Sequence, residues 1–360
     1  MICKNEVCND RKAKIHQITH HPYFGFFIIT FLMLMVQLLR VIGVPISITL
    51  LRAFGITMIY IIVALGFSIL LGYAGLASLG TAGFVGIGTY LLGYFTKNFG
   101  LSIFLVIVIS ILGAIVIGGI VGFISLRIEG MYLAIITLGL SEILNEVFKN
   151  AVSITNGTNG LGLNGILVIF KNPVVVNHNT IFIATAIIMF FMMVLTLNII
   201  KSPTGRAFLA MRNSTSAAQA MGISILKYRL LAFVVSTVYA MLAGVIYMSY
   251  ISFSIPTTWS LAFSLNILAA VIVGGSQSIY GIVLGTFMIF GLNLGVLQQF
   301  SFFQNNPAIS VVFNGLLIIL VIMFYPGGLI RLVNTTYHKL KKIVLKLMTK
   351  WRVYRYGSDN

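Results

Sequence analysis

The ionisable side chains of this chain are few, and two of them are the first candidates for chemistry. Its 360 residues include 6 acidic residues against 23 lysines and arginines, a formal net charge of +17. Glu142 and Glu146 are one helical turn apart within an apolar segment. Acidic side chains in such surroundings are costly and usually functional, and a carboxylate there could meet the ammonium group of a zwitterion. Alternatively, Glu146 lies at a water interface and is solvated beside Lys149.

Hydroxyl and amide side chains in neighbouring apolar segments extend this candidate site. Thr137 and Ser141 are predicted to share a helix face with Glu142, although they could also bond their own helix backbone. Two glycine-rich stretches, around 72–80 and 274–281, interrupt apolar runs. Such breaks expose backbone amides and carbonyls that must line a cavity or be buried in protein. The predicted polar path therefore consists of Gly75, Ser78, Thr137, Ser141, Glu142, Asn266 and Gln277.

No group of side chains in the sequence predicts an enzyme or a metal site. Cys3 and Cys8 are two thiols in a polar tail, too few for a zinc site, while His20 and His21 abut the first apolar run and His178 lies in a later loop. A nucleophile–base pair on one side of a membrane is also missing. We therefore expect no catalytic residue, metal or cofactor in this chain.

The composition identifies a membrane protein. Of all residues, 59% are hydrophobic and 8% are charged, whereas soluble domains carry about 25% charged residues. A nucleic-acid-binding protein would carry its basic residues on a folded polar face. Here they lie in tails and in short loops between apolar runs, so we expect no nucleic-acid partner.

Ten segments are apolar over a length that can cross a bilayer as a helix, for which about 20 residues are needed. The fold is therefore predicted to be all-α, a polytopic helical membrane protein with about ten transmembrane helices. Segment 76–95 is interrupted by small residues, and segment 259–278 could be a half-helix. The predicted spans are 23–39, 54–71, 76–95, 101–125, 130–148, 179–200, 230–250, 259–278, 281–300 and 308–326.

The positive charges fit this number of spans. Basic residues concentrate on the cytoplasmic side of membrane proteins. With ten spans, five of the 23 lysines and arginines lie outside and the other 18 lie inside. Both termini are then cytoplasmic. The predicted organisation is a basic tail at 1–22, a transmembrane domain at 23–330 with a cytoplasmic loop at 201–229, and a basic amphipathic tail at 331–360 on the lipid surface.

The cytoplasmic loop contains a further candidate site. Ser202 and Pro203 end one helix and start another, since proline suits the first turn of a helix. A short, alanine-rich, basic helix follows over 204–222 and is ended by Gly222. A helix of this kind on the cytoplasmic face suits docking onto a soluble protein, and a long surface loop is the alternative.

Five blocks of sequence resemble the permeases of branched-chain amino-acid ABC importers, of the LivM type. SPTGRAFLAMRNSTSAAQAMGI (202–223) is similar to their cytoplasmic coupling loop. Together with four other blocks it stands in the family's order, and the five cover roughly residues 50–330. The other four are LGYAGLASLGTAGFVGIGTYLLGY (71–94), RIEGMYLAIITLGLSEIL (127–144) with the TNGTNGL that follows it (155–161), ILAAVIVGGSQSIYGIVLG (267–285) and FYPGGL (324–329).

The resemblance implies a multi-pass protein of the bacterial inner membrane that works in a complex. Its partners would be a second permease subunit, two cytoplasmic ATP-binding subunits that use ATP and Mg, and an extracytoplasmic solute-binding protein. A Walker A sequence is missing from this chain, which fits that division. The residues that would couple to the ATPase are Gly205, Arg206, Arg212, Ala217, Ala218 and Gly222.

The sequence departs from the family's pattern at two places. Coupling loops of the family usually carry a glutamate near Asn213 and Thr215, and a histidine is common where Thr81 stands. A contact mediated by those acids is therefore not available to this chain.

The sequence leaves three functions open. The first is an importer permease for branched-chain or related amino acids. The second is the same architecture carrying urea, an amide or a simple sugar. The third is an ion-coupled secondary transporter, which would have no need for a docking helix.

Overall fold

The structure is a computed structural model that covers most of the predicted transmembrane domain. It describes residues 22–43, 47–125, 131–163, 166–169, 172–175, 178–295, 297–300, 302–303, 307–325, 327–332 and 335. The two predicted tails, 1–22 and 331–360, lie almost entirely outside the described residues.

Ten apolar helices in the described residues correspond to the ten predicted spans, so the predicted all-α class is confirmed. Three further helices, α6 (Val152–Thr155), α8 (Pro203–Asn213) and α9 (Thr215–Ala220), are short. The ten are α1 (Pro22–Val41), α2 (Ile48–Tyr73), α3 (Thr81–Phe99), α4 (Ile103–Ser125), α5 (Met131–Asn150), α7 (His178–Lys201), α10 (Ile225–Ile251), α11 (Leu261–Gly274), α12 (Ile279–Gly295) and α13 (Pro307–Phe324).

Helix lengths separate full spans from shorter ones. Within the described residues, α1, α2, α4, α7 and α10 are by themselves long and apolar enough to cross a membrane. The 14 residues of α11 extend about 21 Å at 1.5 Å per residue, less than the roughly 30 Å of hydrocarbon. The predicted span 259–278 is therefore a half-length helix, one of the two possibilities that the sequence left open.

The predicted span 76–95 began too early. Residues 75–80 are not helical, and α3 starts at Thr81. The last turn of α2, Ile69–Tyr73, widens into a π-helical turn before the chain leaves the helix. The glycine-rich stretch is therefore a break between two helices.

Strands are short in the described part of the chain. β1 (Leu161–Gly162) pairs antiparallel with β4 (Phe253–Ser254), and β2 (Ile166–Ile169) forms a hairpin with β3 (Asn172–Val175). The first pair joins the segments that follow α5 and α10.

The core forms around α10, which packs on α2, α3 and α4. Its closest approach is to α3, where Gly244 lies against the carbonyl of Val85 and Gly88 lies against the backbone of Met241. Small residues let helix backbones approach in this way, which is how helices gain packing energy in lipid. Glycines of α4 also face α10, since Gly118 lies beside Thr237.

The connections between the ten helices gather at two ends of the molecule. At one end, Tyr23 donates to Asn198 at 2.9 Å, and Gly275 lies beside Gly327 and Gly328. This end, called the basic end below, consists of 72–75, 201–229, 275–278 and 327–332.

The other end, called the opposite end below, consists of 150–163 and 250–259. There β1 pairs with β4, and Tyr250 donates to the carbonyl of Leu51 at 3.2 Å. The first and last of the ten helices, α1 and α13, both have their outer termini at the basic end, as an even number of crossings requires.

The contact between α3 and α10 predicts the effect of a single added methyl group. We expect Gly244→Ala to lower stability by about 1–3 kcal/mol, since its Cβ would collide with the Val85 carbonyl and force the helices apart. The matched control is Gly119→Ala on α4, where nothing lies within 4 Å of an added Cβ. Thermal unfolding midpoints in detergent are the measurement, and equal midpoints for both variants would contradict the packing described here.

Candidate functional site

The predicted coupling helix is two helices in the structure. Ser202 caps α8, since its hydroxyl accepts from the Gly205 N–H at 3.3 Å, and Pro203 occupies the first turn. This start agrees with the Ser–Pro signal in the sequence. The predicted single helix over 204–222 was wrong, because Ser214 leaves the helical conformation, ends α8 and caps α9 through the Ala217 N–H at 3.2 Å.

The predicted coupling residues point in two directions. Gly205 and Ala218 are buried, and a Cβ at Gly205 would collide with the carbonyl of Ile200. Arg206, Ala217 and Gly222 are exposed, and Met221 beside them is 83% exposed. The buried pair packs α8 and α9 against the rest of the protein. The exposed residues form an outward surface at the basic end.

Arg212 connects the predicted coupling helix to the predicted path. Its guanidinium donates to the carbonyl of Gly72 at the end of α2. The stem of the side chain passes Gly75, where a Cβ would lie 3.0 Å from the Arg212 Cγ. Gly75 has φ +72°, a conformation that glycine adopts without strain. Nothing in the sequence indicated that these residues meet.

The two predicted helix breaks lie against each other. Gly72 packs on the backbone of Ser276 so closely that a Cβ would collide with the Ser276 carbonyl. The Tyr73 hydroxyl donates to the carbonyl of Gln277 at 2.6 Å. Each break therefore covers polar backbone groups of the other, and the exposed Gly75 and Gln277 lie at the surface of the basic end.

Side chains from other helices hold the segment between α2 and α3. The Thr137 hydroxyl of α5 accepts from the Leu79 N–H at 2.9 Å and donates to the Leu133 carbonyl at 2.9 Å. Ser264 of α11 accepts from the Ala82 N–H in the first turn of α3 at 2.9 Å. The first N–H groups of a helix have no partner inside that helix. Ser264 was not predicted, because no local signal in the sequence marks a cap from a distant helix.

Ser78 lies in a small buried cavity among other hydroxyl groups. The cavity has a volume of about 10 Å³ and is also lined by Thr81, Ser236 and Thr237. Ser78 accepts from the Gly80 N–H at 3.3 Å. Asn266, the other predicted path residue on α11, is half-buried.

Helix α5 has a buried polar face and an exposed face with the acids. Thr137 and Ser141 are buried, and Asn145 on the same face donates to the carbonyls of Pro256 and Trp259 at 3.0 and 3.1 Å. Glu142 is exposed and lies beside Ile143, which is 62% exposed. The prediction that Glu142 shares a face with Thr137 and Ser141 was therefore wrong. These residues do not form one polar path within a single chain.

Glu146 has a partner of its own. Lys149 donates to it at 2.7 Å, and the side chains are 55% and 33% exposed for Glu146 and Lys149. This pair has the solvated geometry that the sequence offered as an alternative. Within the described residues there is also no group of three side chains able to hold a metal ion.

Comparisons with known proteins agree with this architecture. A model of the family described as branched-chain amino acid transport system / permease component matches residues 49–322. The chain is 30% identical over 297 residues to the high-affinity branched-chain amino acid transport system permease protein LivM of Escherichia coli, covering 76% of this chain and 68% of that protein.

More distant relatives show how wide the similarity is. A probable branched-chain amino acid transport permease protein LivM of Methanocaldococcus jannaschii is 25% identical, over 70% of this chain and 74% of that protein. The ribose import permease protein RbsC of Haemophilus influenzae is 29% identical over 57% of this chain and 64% of its own length.

No solved structure is significantly similar to the chain. The family model, however, covers all ten helices except α1 and the ends of α2 and α13. This chain belongs to the permease component family of branched-chain amino acid transport systems.

Proposed function

We propose that this chain is the membrane-spanning permease subunit of an ATP-driven importer for branched-chain or related amino acids in the bacterial inner membrane. The observation that carries the proposal is the pair α8–α9, which places an uncovered, basic surface without acids at the basic end. A carrier driven by an ion gradient has no need for such a surface. The LivM relatives, each named for branched-chain amino acid transport, support the substrate class.

The outward surface of α8–α9 is the proposed docking site for an ATP-binding subunit. It consists of a cation, Arg206, an apolar side chain, Met221, and small residues between them. Interfaces are enriched in arginine and methionine, and an exposed methionine packs readily into irregular apolar pockets. Two such ATP-binding subunits would use ATP and Mg, while this chain contributes no catalytic residue.

The exposed face of α5 is the proposed contact with the second permease subunit and with the translocated solute. Glu142 is eleven residues from the start of α5, about 17 Å along the helix and so near the middle of the hydrocarbon. A central charge facing lipid costs about 2.5–3.5 kcal/mol on the translocon scale. A path between two subunits would remove that cost, and an external solute-binding protein would deliver the solute to it.

A permease of the same architecture for a simple sugar is the second candidate. It is favoured by the match to the ribose import permease, which covers a smaller share of the chain than the matches to LivM proteins do. The exposed carboxylate on α5 favours a substrate with an ammonium group over a neutral sugar.

The basic end is the proposed cytoplasmic end. It carries Lys201, Arg206, Arg212, Lys227, Arg229 and Arg331, as the positive-inside rule requires. Because α1 and α13 both have their outer termini there, both termini of the chain would be cytoplasmic.

The docking surface is tested by reversing its charge. We expect Arg206→Glu to reduce ATPase binding at least about tenfold, which corresponds to 1.4 kcal/mol of lost interaction. Uptake should fall with it while insertion and stability remain normal, because Arg206 is exposed. Gly205→Pro should also abolish uptake, because it removes the N–H that Ser202 caps and places a Cβ against the Ile200 carbonyl.

The matched control is Lys227→Glu, an exposed cation of the basic end outside α8–α9. Co-purification of the ATPase with each variant is the measurement. Full ATPase binding and uptake by Arg206→Glu, or an equal loss in Lys227→Glu, would refute docking through α8–α9.

The orientation is tested with single cysteines at Asn159 and Asn213, in a background where Cys3 and Cys8 are replaced by serine. Both positions are exposed, and they lie at the opposite end and the basic end. An impermeant thiol reagent should label Asn159→Cys from outside and Asn213→Cys only from inside. Labelling of both from one side would contradict the ten-span topology.

The proposed path is tested by Glu142→Gln, which keeps the shape of the side chain and removes its charge. We expect slower uptake and slower substrate-stimulated ATP hydrolysis in proteoliposomes, with the affinity of the solute-binding protein unchanged. Glu146→Gln is the control, because Glu146 already forms an ion pair with Lys149. We expect it to slow uptake much less than Glu142→Gln does. If Glu142→Gln transports at the wild-type rate, Glu142 has no part in translocation.

A further inference from the structure

We propose that Arg212 is a positioning residue that transmits movement of the coupling helix to the two helix breaks. The inference rests on the proposed function, since it assumes that α8 is moved by an ATP-binding subunit. It gives Arg212 a role different from docking. Both arginines of α8 were expected to face the ATPase. The Arg212 guanidinium instead donates to the Gly72 carbonyl of α2, whereas the exposed Arg206 makes a long bond, 3.5 Å, to the Lys201 carbonyl beside it.

The first link is the bond from Arg212 to the Gly72 carbonyl. The last carbonyls of a helix have no N–H partner inside that helix. They also carry the partial negative charge of the helix dipole. A guanidinium that donates to such a carbonyl makes a charge-assisted bond, stronger than a neutral one. Arg212 is in the last turn of α8, so any displacement of that helix pulls or pushes on the end of α2.

Gly75 keeps this link in place. The stem of Arg212 lies against it, with 3.0 Å between the Arg212 Cγ and the position of an added Cβ. A side chain at this position would push the arginine stem away and would also strain the backbone, since φ is +72°. The arginine therefore contacts both the carbonyl before the break and the backbone after it.

The second link connects one break with the other. The Tyr73 hydroxyl donates to the Gln277 carbonyl at 2.6 Å, and Gly72 packs on the Ser276 backbone. Movement of the end of α2 is therefore passed directly to the connection between α11 and α12. That connection also lies against Gly328, after α13.

The third link connects the break with the proposed path. The segment that begins at Gly75 is bonded four residues later to α5, through the Leu79 N–H and the Thr137 hydroxyl at 2.9 Å. Glu142 lies on the same helix, five residues beyond Thr137. Residues 72–79 thus form a continuous connection from the coupling helix to the helix that carries the acid. A chain of contacts shows that coupling is physically available, and its size must be measured.

The test uses the complete importer complex in proteoliposomes and measures the number of solute molecules imported per ATP hydrolysed. For Arg212→Gln we expect the ATPase to co-purify as with the wild type. The import ratio should fall about fivefold or more, the lower range of a coupling free energy between sites. Arg212→Lys should recover part of the ratio, because an ammonium group can also donate to the Gly72 carbonyl.

Tyr73→Phe provides an independent variant in case Arg212→Gln does not fold. It removes the hydroxyl that joins the two breaks and keeps the ring. Its control is Tyr250→Phe. That change also removes a bond from a tyrosine hydroxyl to a backbone carbonyl, but at the opposite end, where Tyr250 donates to the Leu51 carbonyl of α2 at 3.2 Å. We expect a reduced import ratio for Tyr73→Phe and a normal one for Tyr250→Phe.

Two results would overturn the inference while leaving the proposed function intact. One is a normal import ratio in Arg212→Gln or in Tyr73→Phe. The other is loss of ATPase binding in Arg212→Gln, which would make Arg212 a docking residue like Arg206. A wild-type chain that retains no ATPase would overturn the proposed function and this inference together.

Discussion

Helix breaks in a membrane protein must hide their backbone N–H and C=O groups, because hydrocarbon offers no hydrogen-bond partner. In this chain the break after α2 packs against the break between α11 and α12, and each covers polar backbone groups of the other. Three side chains bond further groups. Tyr73 joins the two breaks, the Thr137 hydroxyl accepts from the Leu79 N–H, and Arg212 donates to the Gly72 carbonyl. The positions of α5, α8 and α11 relative to α2 all depend on these bonds.

This arrangement explains which features could be predicted from the sequence. The ten spans follow from the length of apolar runs, and the start of α8 follows from Ser202 and Pro203, because both signals are local. The start of α3 could not be predicted from local signals. Its Ala82 N–H is bonded by Ser264 from α11, and the segment before it is held by Thr137 from α5. The split between α8 and α9 at Ser214 was likewise hidden in a continuous alanine-rich pattern.

The site shows the same division between local and distant information. The sequence identified Arg212 and Gly75 as functional residues in two separate groups, and the fold brings them into contact. It also placed Glu142 with Thr137 and Ser141, although 100° per residue puts neighbouring positions 141 and 142 on well-separated directions of a helix. Which of those directions faces the core depends on α3 and α11, and so only the structure shows that the acid points away from it.

The pairing of β1 with β4 has a mechanical consequence for the same helices. Through Leu161 and Ser254, and through the Leu163 N–H that donates to the Ser252 carbonyl at 2.9 Å, the segments following α5 and α10 are tied together at the opposite end. Sliding of these two helices along their axes would strain that tie. Their remaining freedom is to tilt about it as about a pivot. The largest excursions then fall at the far tips of the two levers, and the tip of α10 lies beside α8.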